Sequence, residues 1–241
     1  MSRSIEAYDL PQRVASYDAD MELMHPNRSP MIRVALEVLP FERTASLRAL
    51  DLGVGTGYFT RCFLERFPSG RVLAVDGASA MVDLARTRLG PLASQVEFRV
   101  GDFRSLAELA RDTGAIDVVF SSYALHHLGS EDKLAVLRHA VGLLRPRGWL
   151  VNTDLIVADS PAMEERLQEM RVEGIVTRAA GKDPRFADAV TTRGFLDALQ
   201  ANEDDRPLTL SEDLALLRDA GLRDSAVFWL ENREMVSGGR K

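Results

Sequence analysis

One cysteine, Cys62, is the only thiol in this chain of 241 residues. A single thiol excludes any disulfide within the chain. A reducing compartment is therefore expected, and with it a cytoplasmic location. With four histidines and that lone thiol, no His/Cys/carboxylate set stands at metal-ligand spacing, so no metal is expected. No window approaches the roughly 18 apolar residues of a membrane span. The opening "MSRSIEAYDLPQRV" lacks an apolar core of signal-peptide length. Positive charge is not in excess either: 30 Lys and Arg against 36 Asp and Glu give a net charge of −6. Proteins that live on nucleic-acid phosphates usually need a basic face, so nucleic acid is the less expected partner. Repeats and low-complexity tracts are absent.

Enough apolar matter remains, 46% of residues, for one sizeable core or a core with a small lid. After a helical opening, β-rich runs alternate with amphipathic ones. The first kind are "RALDL", "RVLAVD", "VEFRV", "IDVVFSS" and "WLVNTDLIV"; the second are "YFTRCFLERF", "SAMVDLARTRL", "RSLAELARD" and "EDKLAVLRHAVGLL". That alternation predicts an α/β fold, a doubly wound parallel sheet with helices on both faces. The strands are nearly continuous in apolar residues, as strands buried on both sides should be. Ser29 with Pro30 reads as the start of an early helix and Ser211 as the cap of a last one. "DSAVFWLENREMVSG" can form two final strands. Residues 1–46 read as a helical cover, 47–241 as a Rossmann-like domain, and 159–207 as a helical insertion suited to be a lid. In that insertion Glu165, Arg171, Glu173 and Arg178 read as a solvated face. Arg171 or Arg193 could still clamp a substrate carboxylate.

The informative stretch is "LDLGVGTGYF". Gly53, Gly55 and Gly57 follow one strand and precede one helix, where open α/β sheets bind ligands. Three missing Cβ atoms let the backbone turn sharply and approach a ligand. A dinucleotide fingerprint needs a glycine where Tyr58 stands, and no P-loop lysine follows, so a pyrophosphate does not suit the loop. The second strand ends in Asp76 and Gly77, and that carboxylate can accept from both hydroxyls of a ribose. The third ends in Asp102 and Phe103, an acceptor for an exocyclic amine beside an aromatic ring. Met81 can pack on a flat base. Together these describe a nucleoside pocket without phosphates.

"LDLGVGTG", "VLAVDGASAMVDLARTRL", "FRVGDF", "IDVVFSSYALHHL" and "LLRPRGWLVNTDL" resemble, in order and spacing, the motifs of class I S-adenosylmethionine-dependent methyltransferases. The likeness runs from Leu47 to Asp154, and the ending resembles the antiparallel strand pair that closes this fold. It implies a mostly parallel seven-stranded sheet with an antiparallel C-terminal strand, and S-adenosylmethionine as cofactor. It places Gly53 to Gly57 at the methionine part, Asp51 at its amino-acid end, Asp76 at the ribose, and Asp102 with Phe103 at the adenine. Tyr17 falls where related enzymes fold a cover over the cofactor. Ser121, at the end of the fourth strand, joins the expected cofactor set. That strand lacks the acid of metal-dependent catechol-type enzymes, and no Asn/Asp-Pro-Pro-Tyr loop of DNA-base amino-methylation is present.

Methyl transfer from a sulfonium is an in-line displacement that positioning can accelerate. A base is needed only where the acceptor must lose a proton. Tyr123, His126 and His127, in the loop after the fourth strand, are the candidate catalytic groups, with His126 slightly preferred. The expected activity is methylation of a small molecule by a monomer or homodimer. The alternatives are an RNA-modifying relative and a SAM-binding protein without catalysis.

Overall fold

The computed structural model describes residues 2–241, without the side chains at positions 11 and 12. Helices α1 (Arg3–Tyr8), α2 (Pro11–Met24) and α3 (Arg28–Glu37) precede the alternating part. That part runs β1 (Arg48–Leu52), α4 (Tyr58–Arg66), β2 (Arg71–Asp76), α5 (Ser79–Leu89), β3 (Val96–Val100), α6 (Leu106–Leu109), β4 (Ile116–Ser122), α7 (Ser130–Leu143) and β5 (Leu144–Leu155). Then come α8 (Pro161–Ala179), α9 (Ala189–Glu203), α10 (Leu210–Asp219), and the hairpin β6 (Ala226–Glu231) and β7 (Glu234–Arg240). The seven strands lie in the order β3-β2-β1-β4-β5-β7-β6, and only β7 runs antiparallel to its neighbours. This is the expected Rossmann-like sheet. Among the described residues no helix is long and apolar enough to cross a membrane.

Continuous apolar strands are explained by helices on both faces. Ala49, Ala74, Val118, Phe120 and Val151 point to the side packed by α3, α4 and α5. Leu50, Leu52, Leu73, Val75, Val119 and Leu150 point to the side packed by α6, α7 and α10. Successive residues alternate between the two cores, the period of two that a strand imposes. Phe120 stacks against Phe59 and Phe63 of α4, with ring centroids 4.4 and 5.1 Å away. On the opposite side Lys133 of α7 is ion-paired to Asp213 of α10, and both side chains are almost wholly buried. Ser237 of β7 adds a hydrogen bond to that carboxylate.

Three local readings shift. The last helix is capped by Thr209, whose side chain and Glu212 form a reciprocal capping box, so Ser211 lies inside the first turn. α3 begins at Arg28 behind Asn27, which puts Ser29 and Pro30 in its first turn, where a missing N–H costs nothing. And α3 belongs only in part to the cover: Arg28 at its start lines the site, while Met31, Ile32, Ala35 and Leu36 belong to the sheet's own core. α2, α8 and α9 instead share a small separate core of Met24, Val172, Ile175, Phe186 and Leu196.

Candidate functional site

The strand order reverses between β1 and β4, and a crevice opens at the carboxyl ends of the strands there. In it lies a half-open cavity. Its floor is the turn between β1 and α4. Gly53, Gly55 and Gly57 have φ of +81°, +49° and +80°, the left-handed region that side chains disfavour. A Cβ on Gly53 would come within 2.4 Å of the Ala124 Cβ, so that glycine also allows the loop after β4 to close in. A Cβ on Gly55 would meet nothing within 4 Å, because it would project into open space.

Asp76 holds this loop from the end of β2. Its Oδ2 accepts from the Gly55 amide at 2.8 Å and its Oδ1 from the Ala78 amide at 2.9 Å. Burial pushes its carboxyl up, while the amides of Ala78 and Gly55 pull it down. Each oxygen keeps a second acceptor site for a ligand. Gly77, Met81 and Phe103 line the same space. Asp51 is buried beneath it. Thr60 donates to its Oδ2 at 2.6 Å, whereas Oδ1 is buried with no partner among the described residues. Burial raises the Asp51 carboxyl to about 7.

The roof is made by α1, α2 and the start of α3, through Ser4, Ile5, Tyr8, Tyr17 and Arg28. Tyr17 lines the cavity as expected, but its ring already has guanidinium groups near it, Arg13 at 5.6 Å and Arg28 at 5.7 Å. Tyr8 packs edge-on to Tyr17 and donates to Glu203 of α9 at 2.8 Å. Arg13 binds the same carboxylate, so the opening helices are tied to the insertion. Arg28 is held by Asp18 at 3.1 Å.

The loop after β4 supplies one wall. Tyr123 has φ +48°, a strained value for a side chain of this size. Its ring faces the cavity and its hydroxyl donates to Glu234 at 2.6 Å. Burial, then the Glu234 charge, pushes that phenol well above its ordinary range. His127 lines the cavity beside Tyr8, with Nδ1 2.9 Å from Asp205. His126 does not line it. Its Nδ1 sits 2.5 Å from Asp154 and its Nε2 3.5 Å from Asp205. Burial opposes its charge, but the two carboxylates prevail and push it up to about 10. An imidazole that keeps its proton at neutral pH cannot take another, so the slight preference for His126 as base does not fit. The donor atoms of His126, His127 and Asp205 lie within 4.8 Å of one another.

Three more expected contacts lie outside the lining. Asp102 accepts from the Arg104 amide and pairs with its guanidinium at 2.7 Å. Ser121 donates to the Leu52 carbonyl, and its neighbour Ser122 takes the lining position. Gly57 packs on Ala85 behind the loop.

Residues 49–148 match the family model described as a methyltransferase domain. That stretch is similar to the domain of class I S-adenosylmethionine-dependent methyltransferases. It is 30% identical over 154 residues to the demethylmenaquinone methyltransferase of Thermotoga maritima, covering 64% of this chain and 59% of that protein. It is 31% identical over 180 residues to the arsenite methyltransferase of Aquipseudomonas alcaligenes, covering 72% of this chain and 50% of the relative. The chain thus spans less than two thirds of either relative. An O-methyltransferase family protein from Burkholderia thailandensis shares the fold with a TM-score of 0.67 at 19% identity, over 97% of this chain and 61% of that one. The methyltransferase domain's donor fits the crevice on two local observations. The buried Asp51 Oδ1 lacks a partner, and the Gly55 cradle is one that a Cβ would fill.

Proposed function

We propose that the protein transfers a methyl group from S-adenosylmethionine to a small-molecule acceptor. The observation that carries this reading is the roofed cavity over the glycine loop. A pocket over the glycine loop, roofed by α1 and α2, suits a nucleoside and not a macromolecular surface. When bound, S-adenosylmethionine supplies a methyl group on a sulfonium, ready for in-line displacement. The chain's own residues orient and enclose it. Asp76 accepts from the ribose hydroxyls with lone pairs its amide bonds leave free. Met81 and Phe103 flank the base, since Asp102 is turned to Arg104. Arg28, the one arginine or lysine among the lining residues, is the counter-charge for the donor's carboxylate. The roof excludes water from the reacting end.

For an acceptor that must lose a proton, His127 is the base. Its ring lies in the cavity lining, and the Asp205 carboxylate stands 2.9 Å from its Nδ1. Tyr123 positions rather than reacts, because its proton is committed to Glu234. Both named relatives carry small acceptors in their names, which supports the same class. An RNA acceptor gains no support, since two other arginines around the mouth are paired: Arg13 with Asp20 and Glu203, Arg104 with Asp102 and Asp132.

Isothermal titration with S-adenosylmethionine and with its demethylated product tests the donor half. Methyl-labelled donor offered with a small-molecule library, and separately with bulk tRNA, tests the acceptor half. No heat of binding at millimolar donor ends the reading. Label passing to RNA alone replaces the acceptor.

A further inference from the structure

A second cavity lies one residue away from the first. Tyr123 is the partition. Its ring lines the donor cavity, while its hydroxyl reaches Glu234 and its ring packs 4.7 Å from His25, both of which line the second space. The body of this cavity is apolar, with Met24, Leu155, Leu167 and Met170. Its polar end sets arginines beside Glu231 and Glu234. Arg171 of α8 and Arg233, in the turn between β6 and β7, both face it.

The two guanidinium groups lack sufficient counter-charge. Arg233 is 5% exposed and touches one carboxylate, Glu164, through Nε at 2.8 Å. Arg171 has no hydrogen-bond or ion-pair partner among the described residues. Burial, then the charge of Arg233, holds Arg171 down to about 10; burial likewise lowers Arg233. The buried acid nearby is already committed. Glu234 takes His25 at 2.9 Å, Asn27 at 2.9 Å and Tyr123 at 2.6 Å. A partly buried guanidinium without a partner, set beside a second one, is costly, and an anion seated between them relieves both desolvation and repulsion. Planar guanidinium forks match a carboxylate in two-point contact.

We propose that this second cavity is the acceptor site and that it takes a small organic carboxylate, its acid group held between Arg171 and Arg233. The apolar walls hold the acceptor's hydrocarbon body, and the methylated atom lies at the end directed toward Tyr123. The proposal rests on the methyltransferase reading above, and its test separates the two.

Benzoate, cinnamate and octanoate, each beside its uncharged amide, are titrated into the protein saturated with S-adenosylhomocysteine. At least one acid binds, and its amide binds about tenfold more weakly or not at all, the loss of one charged contact. Arg171→Met weakens that acid by about tenfold or more, while S-adenosylhomocysteine affinity, the check on folding, is unchanged. Arg171→Lys, which keeps the charge and loses the fork, recovers part of the affinity. No binding by any acid, equal binding of an amide, or an unaffected Arg171→Met overturns the proposal. Loss of S-adenosylhomocysteine binding by the wild-type protein would instead remove the donor reading beneath it.

Discussion

Ile5 of α1 rests directly on the α-carbon of Gly77 at the end of β2; a Cβ there would lie 2.4 Å from the Ile5 Cδ1 and 2.5 Å from its Cγ1. Gly77→Ala therefore has no room unless the roof lifts. Ile is stiff near its backbone, and overpacking of this kind costs about 1–3 kcal/mol. The expected outcome is a displaced α1 rather than a broken core. Limited proteolysis should cut faster within the first ten residues, and S-adenosylhomocysteine should bind more weakly. A variant with wild-type cleavage and affinity would show that α1 does not rest on this turn in solution.

Asp76 is the acid on which both the loop and the proposed ribose contact depend. Asp76→Ala removes the acceptors of Gly55 and Ala78 and those offered to the ligand. Hydrogen bonds to a charged acceptor contribute about 1.5–3 kcal/mol each, so donor affinity should fall by at least about tenfold. Calorimetric titration reads this directly, and unchanged affinity would mean the ribose binds elsewhere.

The His126 cluster sets a pH dependence of stability. Its folded value of about 10 lies above the ordinary histidine value of about 6.5. The stabilisation is therefore complete below about pH 6.5 and is shed as pH rises toward 10. Asp154 and Asp205 are held below the usual carboxylate range although burial opposes it, so their share is present above about pH 4 and lost in stronger acid. Asp51, raised to about 7, adds a penalty that grows as pH climbs from about 4 to 7. Thermal unfolding should show a midpoint that falls steadily from mild acid to pH 10. His126→Gln should flatten the limb above about pH 6.5. A wild-type midpoint constant from pH 6.5 to 9 would contradict the assignment.

Lys133 and Asp213 form a buried pair whose partners are worth little separately. Lys133→Met leaves Asp213 buried with only Ser237 to satisfy it, at a cost of about 3–5 kcal/mol. Replacing both, as Lys133→Met with Asp213→Leu, should recover most of that loss, since a well-packed apolar pair can match a buried ion pair. Urea denaturation of the single and double variants measures the difference. A double variant as unstable as the single one would refute the account.

Strands β1, β2 and β4 were readable because each is short, apolar on both faces and followed by a helix of period 3.6. Those are local properties that packing reinforces. The glycine loop and Asp76 were readable for the same reason, since both sit at strand ends that a doubly wound topology must bring together. The roof was not. Ser4, Ile5, Tyr8 and Arg28 come to the cavity only through contacts such as Tyr8 with Glu203, 195 residues away along the chain. The aromatic and arginine residues clustered on the opening helices were the available signal. Nor could spacing decide between His126 and His127, because Asp154 and Asp205 choose between them from a distant strand and from the insertion. Arg171 looked like one charge on a solvated helix. It differs from Arg193, which is exposed and paired with Glu165 and Asp197, only in what the β6–β7 turn places opposite it.

The bond from Tyr8 to Glu203 has a kinetic consequence. It joins the two halves of the roof, one from the start of the chain and one from the insertion, like a clasp. Lifting the two halves apart breaks a phenol–carboxylate and a guanidinium–carboxylate contact, so donor exchange by that route is slowed by both. The tempo of turnover is thereby tied to an acid some distance from the reacting methyl group, and loosening it should hasten departure of the product at the expense of its grip.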